Sequence, residues 1–375
     1  MTRAPAHSEA SGPLVYYVTA HGYGHAVRSC DILKAFCSAY PQVPVEVVSS
    51  VPADFFRNRL PFDRLLYRHA SFDVGMVQVD SVRVDVEATL ERLLDLSNRW
   101  DALLADECRH LDQIDARLVV SDIPSLPLEA AAYTGRPGIA IGNFAWNWIY
   151  APFADRAPGW RPLIDRFERG YQSARLLLRL PFAEPMRVFP EHRNLPLVAR
   201  PGVPCRDEMA RHTGADPERT WVLLSFTSLD WNHEALTRIE ALDEYAFFTV
   251  RPLEWTGRNL FAVDREEISF ARALASVDMV ITKPGYGIVS ECIVNRKPMV
   301  YVDREDFIEY PILEAAIQRH LAHAHVPAAD LYAGRLASAL EAARAAPWPE
   351  EELPAGGDAL AAEVLYEMWR NGRVG

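Results

Sequence analysis

The stretch Leu14-Val-Tyr-Tyr-Val-Thr-Ala-His-Gly-Tyr-Gly-His-Ala-Val-Arg28 passes from a run of β-formers, over two glycines, into a helical pattern. Leu14–Ala20 reads as a strand. Val27, Ile32, Leu33 and Phe36 fall on one face of a helix over Ala26–Tyr40. Pro44–Ser49 is the next strand, which completes a βαβ unit. The carboxyl end of a parallel strand is where ligands meet open α/β sheets. Gly22 and Gly24 let the backbone approach a ligand, and free N–H groups at a helix start favour anions. The pattern is not G-x-G-x-x-G, so it does not specify a dinucleotide. A neutral imidazole at His21 or His25 is suited to take a proton from a hydroxyl. The plainer alternative is a tight turn in which one histidine caps the helix.

The same alternation continues outward. Strands are expected at Arg117–Ser121, Pro137–Gly142 and Ala174–Leu180, with helices over Glu87–Ile114 and Pro124–Tyr133. A second series has strands at Thr220–Ser225, Tyr245–Val250, Leu260–Val263, Asp278–Thr282 and Pro298–Val302. Its helices are expected at Ser269–Ser276 and Ile308–His320, with a last one over Leu360–Asn371. Strands alternating with helices imply an α/β fold with parallel sheets. Between the series, Pro181, Pro185, Pro190, Pro196, Pro201 and Pro204 resist regular structure and suit a linker. The expected organisation is a disordered tail over 1–12, a Rossmann-like domain over 13–200, a second over 201–352, and a helix over 353–375 placed to pack back on the first.

The length of 375 residues is comfortable for two domains, and 49% apolar residues can give each a core. A formal net charge of −12 argues against a polynucleotide, so no nucleic-acid partner is expected. Five cysteines without C-x-x-C spacing fit reduced thiols in a cytoplasm and give no zinc pattern. Met1–Gly12 lacks the apolar run of a secretory signal. No apolar run reaches the ~18 residues of a membrane span, so no transmembrane anchor is expected.

Thr282-Lys-Pro-Gly-Tyr-Gly-Ile-Val-Ser-Glu291 again follows a strand and opens a helix. Lys283, Gly285, Tyr286 and Gly287 make a setting for a diphosphate, where the helix end adds ~0.3–1 kcal/mol per anion contact. Ser290 and Glu291 lie one turn further on, where a carboxylate can accept hydrogen bonds from ribose hydroxyls. The alternative is a glutamate that merely answers the helix dipole.

Two more strand ends of the first sheet point at the same cleft as His25. In Ser121-Asp-Ile-Pro124, Asp122 could orient a histidine or bind a hydroxyl. In Asn143-Phe-Ala-Trp-Asn-Trp-Ile-Tyr150, Asn143 could bind an acceptor, and Trp146, Trp148 and Tyr150 could stack on a sugar ring. The alternative is an Asx turn with aromatics packed under a loop. In the second half, Thr227 and Ser228 could reach a phosphate, and Glu305 and Glu309 in Asp303-Arg-Glu-Asp-Phe-Ile-Glu-Tyr-Pro311 could contact a sugar. That last run also reads as a solvated charge run. His320, His323 and His325 lie where a helix is expected to give way to an edge strand, and they read as structural. No D-x-D triplet occurs, so no metal site or cofactor is expected. The P-loop and G-x-S-x-G patterns are absent too.

Taken together, these motifs resemble those of the GT-B glycosyltransferases, two Rossmann-like domains whose parallel sheets face across a cleft. The chain looks most like the glycosyltransferase-like N-terminal region of L-arabinokinases and stand-alone bacterial relatives. The residues that carry this are Tyr17–Arg28, Ser121–Pro124, Asn143–Tyr150 and Lys283–Glu291. The resemblance does not extend to the kinase half, so no sugar-kinase activity is expected. A more distant similarity runs to the GlcNAc transferase that makes the lipid-linked peptidoglycan precursor. It implies a histidine near the acceptor at His25 and a ribose-binding glutamate at Glu291. Phe226-Thr-Ser228 departs from that family's glycine-rich diphosphate loop.

The resemblance implies an acceptor domain over 13–200 and a donor domain over 201–352. The expected reaction is an inverting, metal-independent transfer of a hexosyl or pentosyl group from a nucleoside-diphosphate sugar, UDP-sugar first. The acceptor is a hydroxyl on a small-molecule or lipid-linked partner. His25 is the candidate base, with His21 or Asp122 holding its tautomer. Gly22, Tyr23, Gly24, Arg28, Asn143, Trp146 and Trp148 are the candidate acceptor contacts. A monomer or homodimer is expected. Two other readings stand beside it. One is a hydrolysing epimerase of a UDP-sugar, which would need carboxylates such as Asp122, Glu305 and Glu309. The other is a non-catalytic nucleotide-sugar-binding protein.

Overall fold

Parallel pairing runs through both sheets of the computed structural model, which describes residues 11–80, 83–251, 253–304 and 307–372. The first sheet contains β1 (Leu14–Val18), β2 (Val45–Ser49), β3 (Leu65–His69), β4 (Leu118–Asp122), β5 (Gly138–Gly142), β6 (Leu176–Arg179) and β7 (His192–Asn194). Their order is β3-β2-β1-β4-β5-β6-β7. β1, β2, β4 and β5 are buried at every position, as strands covered on both faces must be, and they are correspondingly apolar. The second sheet contains β8 (Thr220–Ser225), β9 (Tyr245–Val250), β10 (Leu260–Val263), β11 (Met279–Thr282), β12 (Met299–Val302) and β13 (His323–Val326). Its order is β10-β9-β8-β11-β12-β13. Both orders reverse direction once, between β1 and β4 and between β8 and β11.

The described residues fall into two compact units. The first holds residues 11–75, 87–198 and 356–372, and the second holds 76–86 and 199–355. The first therefore gives up a short segment, 76–86, to the second, which an unbroken domain over 13–200 does not anticipate. The last helix, Gly357–Asn371, packs on Tyr23–Ala39 in the first unit. Ala361, Leu365, Met368 and Trp369 enter the core around β1. The rings of Tyr40 and Tyr366 stack 3.8 Å apart, and the Trp369 indole donates to the Gly12 carbonyl at 2.8 Å. Gly12 is thus held, while residues 1–10 of the expected tail lie outside the described residues.

Some elements differ from the sequence expectation. β3 and β7 are additional strands. β7 is only three residues long and lies inside the proline-rich stretch, where Pro190 and Pro196 bound it. Trp146–Tyr150, expected as a loop, is one helical turn. Among the described residues no helix is long and apolar enough to cross a membrane.

Candidate active site

The first unit's site is built where its strand order reverses. There β1 and β4 lie side by side, with Val18 opposite Asp122. Ligands of open parallel sheets bind outside the carboxyl ends at such a point. Gly22 takes φ +82 and ψ 151, a backbone region essentially confined to glycine, and the helix Tyr23–Ala39 starts at once. His25 and Arg28, three residues apart, share the helix face that meets Asp122.

Asp122 is 0% exposed. Its Oδ1 lies 2.8 Å from His25 Nδ1 and accepts from Arg28 Nη2 at 2.5 Å. Its Oδ2 accepts from Arg28 Nε at 2.8 Å and from Ser29 Oγ at 2.9 Å. Arg28 Nη2 also lies 2.9 Å from His25 Nδ1. These two contacts on Nδ1 demand opposite tautomers. An ionised carboxylate only accepts, so a lone pair on Nδ1 would repel Oδ1, whereas a proton there makes a charge-assisted bond. The Nδ1–H tautomer follows, and Nε2 keeps its lone pair as the basic site.

Electrostatics agree with this assignment. Burial first, and the Arg28 guanidinium second, push His25 below its usual value, against the pull of Asp122. The imidazole is therefore neutral at pH 7. Burial by itself would raise Asp122, but Arg28 and then His25 reverse this and hold the carboxyl well below the usual carboxylate range.

The remaining expected residues of this unit take varied places. His21 is half-buried, its ring edge-on to Trp146 at 5.2 Å, and its backbone N–H donates to Thr19 Oγ1 at 3.2 Å. Of the two candidates for holding the His25 tautomer, Asp122 is the one whose carboxylate lies against Nδ1. Arg28 and Asn143, expected to touch an acceptor, are instead buried against the chain's own groups. Asn143 accepts from Arg28 Nη1 and donates to the Pro181 carbonyl at 2.5 Å, so both residues position His25 and Asp122. Trp146 is 1% exposed and has no free face for a sugar. Its ring stacks on the likewise buried Tyr150 at 5.6 Å. The reason is the helical turn at Trp146–Tyr150, which packs on the helix Trp160–Gln172. Trp148 is half-buried. Gly22, Tyr23 and Gly24 are exposed, with Tyr23 stacked on Phe55 at 5.4 Å.

Two residues of this site have no counterpart in the sequence reading. The Trp146 indole N–H donates to Asp73 Oδ2 at 2.9 Å, in the loop after β3. Burial pushes the Asp73 carboxyl up to about 6, against hydrogen bonds from Thr19 and Trp146 and helped by the Asp122 charge. Gly75 has φ +71, and a Cβ built on it would stand 2.3 Å from His21 Nδ1. The signal was a D-x-G turn, but only the sheet order brings it beside β1. A cavity of ≈ 760 Å³ reaches Asp73, between residues 68–74 and the helix Val86–Gln113. Arg68, Phe72, Leu96, Arg99 and Glu107 are among its walls.

The second unit has its own site, again at the strand reversal. Thr282, at the end of β11, donates through Oγ1 to the Ser225 carbonyl at the end of β8, at 3.1 Å. Lys283 and Pro284 follow, and Gly285 caps the helix Tyr286–Val294 with extended backbone. That helix has no acidic residue in its first turn and no side-chain cap, so its amino end is open to an anion. Lys283 is half-buried. Burial first, then Arg304, lowers its ammonium to about 7, against Glu309 and Asp80. Burial raises the Glu309 carboxyl, opposed by Arg304 and Lys283. The Tyr286 side chain is buried, and Gly287 is half-buried. Ser290 Oγ donates back to the Tyr286 carbonyl at 2.9 Å, which spends its proton on its own helix. Glu291 is half-buried one turn into the helix, and Thr227 and Ser228 are exposed just beyond β8. Glu305 lies outside the described residues.

No protein-family model matches the sequence. An L-arabinokinase of Arabidopsis thaliana is 30% identical over 368 residues, which cover 94% of this chain and 34% of that protein. The chain thus spans about a third of the length of the curated relative it matches. Among solved structures, a calicheamicin glycosyltransferase superposes with a TM-score of 0.59 at 17% identity, over 96% of this chain and 94% of the other. A UDP-glucosyltransferase from Polygonum tinctorium capable of glucosylating indoxyl gives 0.60 at 13% identity, over 96% and 99%. The architecture of two parallel sheets flanked by helices is shared with these neighbours, and the chain has the GT-B fold of the glycosyltransferases.

Proposed function

We propose that the chain is a glycosyltransferase. It moves a sugar from a nucleoside-diphosphate sugar, a UDP-sugar first, to a hydroxyl acceptor, with inversion and without a metal. The observation that carries this reading is the buried His25–Asp122 pair, with Nδ1–H turned to the carboxylate and Nε2 left basic. The fold it shares with a UDP-glucosyltransferase supports the donor class.

In this reading the first unit activates the acceptor. His25 Nε2 takes the hydroxyl proton as the acceptor oxygen attacks the anomeric carbon. Asp122 stabilises the imidazolium that forms, as the carboxylate of a catalytic triad does. Arg28 and Asn143 hold Asp122 and His25 in register. The second unit holds the donor. Lys283 and the amino end of Tyr286–Val294 stabilise the departing diphosphate with fixed charge and dipoles, the part a metal plays elsewhere. Glu291 takes the ribose hydroxyls and Glu309 a hydroxyl of the sugar. The epimerase alternative is weaker, because the chain's own groups already occupy both oxygens of Asp122.

The test is a thermal-shift screen of UDP, TDP, ADP and NAD, followed by product analysis with the matching sugar donor. The reading expects a shift with a nucleoside diphosphate and a glycosylated product of inverted anomeric configuration. Donor cleavage to a free epimerised sugar would favour the epimerase. Tight binding without turnover would leave a binding protein.

A further inference from the structure

We propose that Arg304 is a further donor-binding residue, whose guanidinium takes phosphate oxygens of the donor's diphosphate beside Lys283 and the open helix end at Gly285. The proposal rests on the donor reading above. Its own support is the way the guanidinium is buried. The Arg304 side chain is only 6% exposed. Its Cζ lies 3.1 Å from the centroid of the Phe307 ring, which fixes the plane of the fork. Nη1 reaches the Pro284 carbonyl at 3.4 Å, which aims the group at the Lys283–Gly287 turn. Among the described residues the nearest carboxylate is Glu309, at 3.9 Å and without a hydrogen bond. Nε is buried with no hydrogen-bond partner.

A guanidinium carries five N–H donors in a planar fork. Here, among the described residues, one long bond is all that engages them. A buried charge left so poorly satisfied is expensive to keep for packing alone. The surrounding charges point the same way. Among the described residues Lys283 and Arg304 both face Glu309, and Asp80 also acts on Lys283 from the segment 76–86. Burial lowers the Arg304 guanidinium to about 10, with Glu309 opposing. A diphosphate offers the guanidinium the acceptors its fork lacks and matches it bidentately, a geometry that an ammonium cannot supply. The competing view is that Arg304 is a packing residue on Phe307, balanced by Glu309.

The experiment measures affinity for inorganic pyrophosphate, UDP and uridine by calorimetry in the wild type, Arg304→Met and Arg304→Lys. The proposal expects Arg304→Met to weaken pyrophosphate and UDP at least tenfold with uridine unchanged, and Arg304→Lys to restore only part. Wild-type affinities in a folded Arg304→Met protein overturn it. Where that variant does not fold, Glu309→Gln decides. Removing the counter-charge is expected to tighten pyrophosphate several-fold, and unchanged affinity overturns the proposal. Pyrophosphate binding that is lost in Arg304→Met, in a protein that takes no nucleoside diphosphate, keeps the anion site and overturns the donor reading. A wild type that binds neither ligand overturns both.

Discussion

Replacing Asp122 with asparagine separates the two things its carboxylate does. Oδ1 faces His25 Nδ1 and Arg28 Nη2, while Oδ2 faces Arg28 Nε and Ser29 Oγ. An amide keeps one acceptor oxygen, so its NH2 must turn to one of these pairs. Turned to Oδ2's partners, it sets donors against Arg28 Nε. Turned to Oδ1's partners, it donates to Nδ1, drives the imidazole proton to Nε2, and removes the base. In both cases Arg28 stays buried with the Asp122 charge gone. Breaking a buried ion pair from one side costs about 3–5 kcal/mol. At roughly 2–4 °C per kcal/mol for a unit of this size, melting should fall by about 6–20 °C. The tautomer loss should cut turnover by about 10³–10⁴, by analogy with Asp→Asn in a catalytic triad. UDP release in the presence of hydroxyl acceptors reads the second effect, and calorimetry with UDP shows whether donor affinity is kept. The stability gap also has a pH signature. Because the folded-state pKa of Asp122 is depressed, its contribution is present above the ordinary carboxylate value and lost only as pH falls through the folded value. The gap should therefore persist from pH 5 to 8 and close only in strong acid. Turnover within twofold of wild type in Asp122→Asn would mean that Asp122 does not set the His25 tautomer.

Three further outcomes follow from the same geometry. Asp73 has a raised folded-state pKa near 6, so its ionisation costs stability increasingly as pH rises from about 4 through 6. Asp73→Asn should raise stability at pH 8 by ~1–3 kcal/mol and by less at pH 5. Chemical denaturation at the two pH values checks this, and destabilisation at pH 8 contradicts it. Gly75→Ala places a methyl against the His21 ring at positive φ. It should cost ~1–3 kcal/mol in melting experiments, and a neutral result would mean that the loop does not brace His21. Lys283, lowered to about 7, must be charged to meet a diphosphate. UDP affinity should weaken from pH 6.5 to 8.5, by up to about tenfold per unit, and Lys283→Arg should flatten the profile. A flat wild-type titration would remove Lys283 from the donor site.

The two glycine turns were legible because strand, glycines and helix are all local patterns. β1 and β11 are short apolar runs, and Gly22 is needed where it stands. The pairing of His25 with Asp122 was one of two options in the sequence, and only the adjacency of β1 and β4 selects it. Asp73 and Gly75 were silent because they follow β3, a half-exposed edge strand whose place beside β2 is a matter of topology. Trp146 misled for a related reason. An indole in a glycine-flanked loop resembles a sugar platform until the turn at Trp146–Tyr150 packs it under His21. Arg304 was hidden inside a charge run that reads as solvated, because burial of a cation leaves no mark on composition. The segment 76–86 could not be assigned to the second unit from the sequence, since no proline or glycine cluster separates it from its neighbours.

In the proposed reaction the second unit binds a nucleoside-diphosphate sugar while His25 supplies the base. Steady-state UDP release and UDP affinity, measured side by side for wild type and His25→Ala, test it most directly. A base at His25 is expected to make turnover fall by about 10²–10⁴, the usual worth of a general base, while UDP affinity stays within a few-fold. Unchanged turnover, or a loss of UDP affinity as large as the loss of rate, would contradict it.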